Sequence, residues 1–344
     1  MAFANGYDPT EAGVCMTLSA MAYVSSNNEP PIKDALIDIL EDPQYATKGQ
    51  WKLVWFGINH DGSNLVYVVR DMTTPGRFAI AIRGTVWNHL DDVVEDMAIF
   101  HTKDWATAVP PTPGLKIARG TYYGLQQLIP LTSSLANVSM PGVSVAMTLI
   151  HFLMIQALDL PAGVDLEVFV TGHSLGGALA TVMGTWLIEQ ASHWDLRPKK
   201  MNFKTYTFAS PTVGNQAFAT YYDGLPSSPV VGPQVGVQAI RVYNESDVLP
   251  HCFSQLNEIT NIGIPLTEKG KLEVEALTLP FTAGMKLTGV SYVHVDNAHP
   301  IPNPTPAPTC ANPAKGLEDF FCWLGYEHAH NTYLTLVGVP VLPF

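Results

Sequence analysis

The chain has 344 residues, of which 47% are hydrophobic and 14% charged, where an ordinary soluble domain carries about 25% charged residues. That balance can fill one large core and leave apolar surface around a site. A net charge of −12 excludes nucleic acid as a partner, and the basic cluster Arg197-Pro198-Lys199-Lys200 is too small to reverse it.

Met1–Asp8 has neither the basic start nor the apolar run of a secretory leader. The chain is therefore expected to be secreted only if a leader has been removed, and cytoplasmic otherwise. Helices are predicted over Pro9–Tyr23 and Ile32–Leu40. Two strands follow, Leu53–Ile58 and Leu65–Arg70, paired antiparallel through the Asp61-Gly62 turn. A third strand spans Phe78–Arg83, and a proline-rich piece runs from Trp105 to Leu115. After a helix over Gly120–Leu128 comes the most apolar stretch, Val143–Leu158. It is shorter than the roughly 20 residues that cross a bilayer, and His151 and Gln156 interrupt it, so a buried or site-covering helix over Val143–Ala157 is expected and no transmembrane span. Leu166–Thr171 reads as a strand, Gly176–Gln190 as a helix, Lys204–Ala209 as a strand, Gln216–Tyr222 as a helix and Val237–Tyr243 as a strand.

Alternation of β-rich and helical runs argues for an α/β fold in a single domain over residues 1–344, with a central, mostly parallel sheet and helices on both faces. Residues 86–105 and 129–158 read as lid-like or cap-like segments. Residues 280–313, with Pro300, Pro302, Pro304, Pro306 and Pro308, read as an extended loop, since proline is barred from helix interiors and central strands. The four cysteines fit neither a zinc site nor a disulfide-dense scaffold; Cys310 and Cys322 flank a loop-like segment and could pair, which spacing alone leaves open.

The chemistry concentrates at Gly172-His173-Ser174-Leu175-Gly176, placed between a strand and a helix rich in small residues. A serine in a tight strand-to-helix turn needs glycines two residues to either side to avoid collisions, and the helix N-terminus behind it offers the Leu175 N–H to a developing oxyanion. In this arrangement an acid and then a histidine follow the serine along the chain. Asp247, in the loop after the strand ending at Tyr243, is the expected acid; Glu245 and Asp223 are its competitors.

These motifs together resemble the fungal-type class 3 lipase family, whose members are triacylglycerol lipases and feruloyl esterases. The resemblance runs from about Phe78 to Leu334. It rests on Ala79-Ile80-Ala81-Ile82-Arg83-Gly84-Thr85, on the elbow Gly172-His173-Ser174-Leu175-Gly176-Gly177-Ala178, on Pro211-Thr212-Val213-Gly214-Asn215, and on Arg241-Val242 followed by Asp247-Val248-Leu249-Pro250. It implies an α/β-hydrolase fold, a Ser174–Asp247–His triad, and Thr85 with the Leu175 N–H as the oxyanion hole. For the base it favours His330, through the spacing His-x-x-Tyr to Tyr333; His328 fits a longer spacing found in other branches, and His299 is next in line. No cofactor and no metal are expected: His294, His299, His328 and His330 lie near Asp296 without a His-Glu-x-x-His motif.

The implied activity is carboxylester hydrolysis through an acyl-enzyme, with a lipid or small ester as partner, at a lipid–water interface in the lipase case. A feruloyl-type esterase or a phospholipase A1 shares the triad. A peptidase or an inactive lipid-binding module on the same fold is the reading from another class. An intact triad argues against inactivity, and the apolar composition argues for lipid over peptide. Nothing in the sequence specifies an oligomer.

Overall fold

The computed structural model describes residues 6–24, 29–84, 100–107, 112–140, 143–194, 196–229, 231–303, 307 and 309–344. Two helices lead in, α1 (Pro9–Met21) and α2 (Glu29–Glu41). Pro9 opens α1, and the Asp8 carboxylate accepts from the Thr10 and Glu11 N–H groups at 2.7 and 3.1 Å, satisfying donors that the first turn cannot pair internally.

A seven-stranded sheet carries the molecule. Its strands are β1 (Trp51–Ile58), β2 (Leu65–Asp71), β3 (Arg77–Ile82), β8 (Leu166–His173), β9 (Met201–Phe208), β10 (Val235–Asn244) and β11 (Ala298–Ile301), in that spatial order. The first three pair antiparallel, and β3, β8, β9, β10 and β11 run parallel. Side chains alternate between the faces as the pleat requires. Leu65, Tyr67 and Val69 pack with α1 and α2 on one side, while Val66 and Val68 pack on the other. That second side is covered by α3 (Arg119–Leu128), α4 (Leu149–Asp159) and α5 (Leu175–Ala191). Strands buried on both faces explain why β3 and β8 read as near-continuous apolar runs. Each fully buried aliphatic side chain there contributes on the order of 1.5–3 kcal/mol.

The remaining elements sit around this frame. Short strands β4 (Thr102–Asp104) and β5 (Lys116–Ala118) pair with each other, as do β6 (Thr132–Met140) and β7 (Val143–Thr148). Helix α6 (Gln216–Gly224) precedes β10, α7 (Glu268–Thr288) precedes β11, and α8 (Leu317–His328) and α9 (His330–Leu336) close the chain. A third cluster lies under α7 and α8, built on Val248, Leu249, Phe253, Val274, Tyr292 and Trp323. The Cys310–Cys322 disulfide ties the loop before α8 to that helix. The basic cluster is structural in part. Lys199 Nζ donates to the carbonyls of Ala157, Leu158 and Leu160 at 2.9, 2.9 and 2.6 Å, a cation placed where the end of α4 leaves acceptors unpaired.

Two predicted elements differ from the structure. The helix expected from Val143 starts only at Leu149; Val143–Thr148 is a strand paired with Thr132–Met140. Its sequence, Val-Ser-Val-Ala-Met-Thr, alternates with a period of two ahead of the truly helical run, and β-branched residues favour the pleat. The loop expected over 280–313 also differs in two places, a helix at its start and a strand at Pro300. Helix α7 runs through Pro280 to Thr288, capped by Thr267 and stopped by Gly289 at φ 68°; Pro280 is exposed, and one missing N–H is tolerated within a long helix. Pro300 sits in β11, which is the sheet edge, where a strand can lack one donor. Of the lid-like segments, 86–99 lies outside the described residues.

Gly172 is where the fold tolerates least. A Cβ there would run into the backbone of Gly176 and lie 2.9 Å from the Gly177 nitrogen. Gly172→Ala is expected to destabilise the protein by roughly 3 kcal/mol, read as a lowered midpoint in urea unfolding with an unchanged slope.

Candidate active site

Strand β8 ends at His173 and helix α5 begins at Leu175, so Ser174 alone makes the turn. Its backbone sits at φ 60°, ψ −131°, a conformation costing about 1–3 kcal/mol for a residue with a Cβ. The surroundings hold it there. Ser174 N–H donates to the Phe208 carbonyl at 2.9 Å, and the Ser174 carbonyl accepts from Gly177 N–H at 2.9 Å. Gly176 lets the helix close on the end of β3: a Cβ on it would lie 2.8 Å from the Gly84 nitrogen. Leu175 is the first helical residue, so its N–H has no acceptor within the helix.

Asp247 follows the C-terminal end of β10. Asn244 shapes this turn: its carbonyl accepts from Asp247 N–H, and its Oδ1 accepts from Ser246 N–H, both at 3.0 Å. The Asp247 carboxylate is fully buried and fully used. Oδ1 accepts from Leu249 N–H at 3.0 Å, and Oδ2 accepts from Tyr333 Oη and His328 Nδ1, each at 2.8 Å. With Nδ1–H directed at a carboxylate, His328 Nε2 is left as an acceptor, and it lies 2.8 Å from Ser174 Oγ. All three side chains are buried, His328 at 4% exposure and the others at 0%.

The base expected at His330 is therefore corrected to His328, the alternative. Ala329 breaks the helix between them, at φ −57°, ψ 137°, so the two imidazoles diverge. His330 stacks on Tyr23 at 5.5 Å and its Nε2 faces the Phe344 carbonyl at 3.1 Å. Tyr333, three residues after His330, donates to Asp247, but the histidine that faces the acid is His328, on the other side of Ala329. Among the other candidates, Glu245 is exposed, Asp223 on α6 accepts from Asp296 N–H, and His299 stacks on Tyr7. Thr85 lies outside the described residues. Among the described residues, no three His, Cys, Asp or Glu side chains gather as a metal site.

Behind the triad lies a layer that sequence reasoning missed. His173 packs against the rings of His328 and Tyr333 at 4.8 and 5.3 Å. Tyr23 Oη donates to the His173 carbonyl at 3.0 Å. Burial first, then the neighbouring imidazoles of His328 and His330, hold His173 well below the usual histidine range, so this ring stays neutral beside the base. Its only sequence signal was its place in the elbow motif.

A seven-stranded, mostly parallel sheet presenting a Ser–His–Asp constellation at a strand-to-helix elbow defines an α/β-hydrolase fold. Comparison places it more closely. Residues 79–257 match the family model for lipase (class 3), and the chain belongs to that family. It is 29% identical over 219 residues to phospholipase A1-Igamma2, chloroplastic, of Arabidopsis thaliana, covering 60% of this chain and 37% of that protein. It is 34% identical over 101 residues to a lipase of Rhizopus niveus, covering 29% of this chain and 22% of that one. The chain thus spans well under half the length of these curated relatives. The crystal structure of M37 lipase superposes with a TM-score of 0.69 at 23% identity, over 94% of this chain and 90% of that one, which supports the fold.

Two outcomes are expected. His328→Ala should lower kcat about 10⁴-fold or more, as loss of a triad base does, while His330→Ala should cost less than about tenfold; steady-state kinetics on one soluble ester separates them. The second concerns acid stability. Because the folded pKa of His173 is depressed, the folded state binds fewer protons than the unfolded chain below about pH 6.5. The stability it contributes is present above that value and is lost as pH falls. His173→Gln should flatten the dependence of unfolding free energy on pH between about 6.5 and 5, by up to about 1.4 kcal/mol per pH unit, measured by denaturant titration at several pH values.

Proposed function

We propose that this protein hydrolyses carboxylic esters of lipids, with Ser174 as nucleophile, His328 as general base and acid, and Asp247 as its orienting carboxylate. The observation that carries the reading is the continuous line from Ser174 Oγ to His328 Nε2 and from His328 Nδ1 to Asp247 Oδ2, with 2.8 Å at each step.

The chemistry follows from this line. As Ser174 Oγ attacks the acyl carbonyl, its proton passes to His328 Nε2, and the buried Asp247 carboxylate favours the imidazolium that forms. The oxyanion is met by the Leu175 N–H at the start of α5, with Thr85, next after Gly84 in the matching motif, assigned as the second donor. Collapse expels the alcohol, which takes the proton from Nε2 and leaves an acyl-serine. Water then repeats the sequence: His328 removes its proton, and Ser174 departs with the proton returned. The chain's own residues supply every proton transfer. The substrate class is an acylglycerol or a phospholipid acyl ester; the longer of the two curated matches reported above, to a protein named phospholipase A1, favours testing the latter directly.

Ser254 provides an internal control. Its hydroxyl also bonds an imidazole, His294 Nε2 at 2.7 Å, but His294 Nδ1 faces Thr212 Oγ1 instead of a carboxylate. Burial, then the charge of Arg241 and the neighbouring His251, push His294 down to about 3, which makes it a poor proton acceptor. A serine-directed phosphonate should therefore label the protein once, at Ser174 and not at Ser254, by peptide mass mapping. Ser174→Ala should retain the fold and lose turnover by about 10³-fold or more on p-nitrophenyl esters, emulsified triglyceride and phospholipid alike. Label on Ser254, or turnover surviving in Ser174→Ala, would sink the reading.

A further inference from the structure

Glu327 precedes the base in sequence, is 1% exposed, and belongs to none of the motifs above. Its Oε2 accepts from Asn244 Nδ2 at 2.6 Å and from Asn303 Nδ2 at 2.7 Å. Its backbone carbonyl accepts from the same Asn244 amide at 3.0 Å. Asn244 is itself fully buried, and its N–H donates to Tyr333 Oη at 3.0 Å, the hydroxyl that donates onward to Asp247 Oδ2. The contacts close a ring: Glu327 to Asn244, Asn244 to Tyr333, Tyr333 to Asp247, Asp247 to His328, and His328 back to Glu327 through the peptide bond. The side chains in the ring are all buried, so their hydrogen bonds cannot be exchanged for solvent at low cost.

The ring has a mechanical consequence. His328 is the last residue of α8, and the backbone turns sharply at Ala329, so the imidazole hangs from a helix end, where chains ordinarily fray. Packing of α8 on the cluster under α7 fixes the helix body. In the ring, side chains tie the end of α8 to the end of β10 through Glu327 and Asn244, and to the loop after β10 through His328 and Asp247. Asn303, beyond β11, grips the same carboxylate oxygen from a third segment.

We infer that Glu327 is a positioning residue for the hydrolysis proposed above: its carboxylate, held by Asn244 and Asn303, sets the register of His328 between Ser174 and Asp247. It touches neither the substrate nor the reacting atoms. Burial, and then the charge of Asp247, raise its carboxyl pKa, the expected cost of placing a second acid beside the triad; amide donors from two separate segments offset that cost. A misplacement of about 1 Å at a reacting group lowers rate on the order of 10²-fold, which sets the scale of the effect.

The test uses the full chain and a soluble ester, with Ser174→Ala run alongside. Glu327→Ala, shown to be folded by a cooperative unfolding transition, is expected to lower kcat by about 30–100-fold with KM within threefold. Its rate of labelling by a serine-directed phosphonate should fall in parallel. Glu327→Gln keeps an acceptor oxygen for both amides and is expected to recover activity to within about fivefold of the parent. Asn303→Ala, which removes one grip from outside the triad elements, should lower kcat about 3–10-fold at constant KM, and it carries the test if Glu327→Ala does not fold. A folded Glu327→Ala with kcat within threefold of the parent, a loss lying wholly in KM, a Glu327→Gln as slow as Glu327→Ala, or an unchanged kcat in Asn303→Ala would each overturn the assignment. Turnover surviving in Ser174→Ala would instead overturn the hydrolase reading, so the two failures are distinguishable.

Discussion

The hydrogen bond between Asp247 Oδ2 and His328 Nδ1 joins residues 81 apart in the chain, and it decides what the rest of the site can be. It selects the tautomer of the imidazole, and so leaves Nε2 able to receive a proton from Ser174. It also places a carboxylate with no exposed surface in the interior, which is tolerable only if its oxygens are fully engaged. Leu249 N–H and Tyr333 Oη complete that engagement. The loop after β10 and the junction of α8 with α9 are consequences of this one requirement, since both are shaped to bring donors to the same carboxylate.

A second constraint acts from the other side. Ser174 is held at a positive φ by the hydrogen bonds of its own backbone to Phe208 and Gly177. The glycines around it allow α5, β8 and the end of β3 to approach without side chains between them. The sheet supplies rigidity here. Its strands β8 and β9 are paired over eight residues and buried on both faces, so the strain at one residue is spread over a large packed structure. The nucleophile is thus fixed by the core, whereas the base is fixed by polar ties at a helix end, and the two halves of the site differ in kind.

The departures from the predicted elements share one cause. Val143–Thr148 is apolar and adjoins a helix, and Pro300 opens a series of alternating prolines; in each case local composition pointed one way and a partner elsewhere in the fold decided otherwise. For Val143–Thr148 the partner is Thr132–Met140. For Pro300 it is β10, which accepts a strand at the sheet edge whose outer side needs no donor.

The elbow was legible in the sequence because its demands are local: a strand, a turn that only small neighbours permit, and a helix, all within a few residues. The central strands were legible for the same reason, since burial on both faces writes continuous apolar runs. Asp247 could be read because it lies in the short loop after a strand end. The base could not be read, because His328 and His330 are both close to the right place and the choice turns on the backbone at Ala329 and on Tyr23, which takes His330 out of contention by stacking. Nor could Glu327, Asn244, His173 and Tyr333 be assembled in advance, since hydrogen bonds and ring contacts across 83, 89 or 150 positions leave no periodic trace in the chain. The sequence by itself determined the fold class, the serine at the elbow and an acid in the loop after β10, through short-range sterics and hydrophobic pattern. The tertiary structure decided which histidine serves and what holds it, because hydrogen-bond direction depends on where distant segments meet.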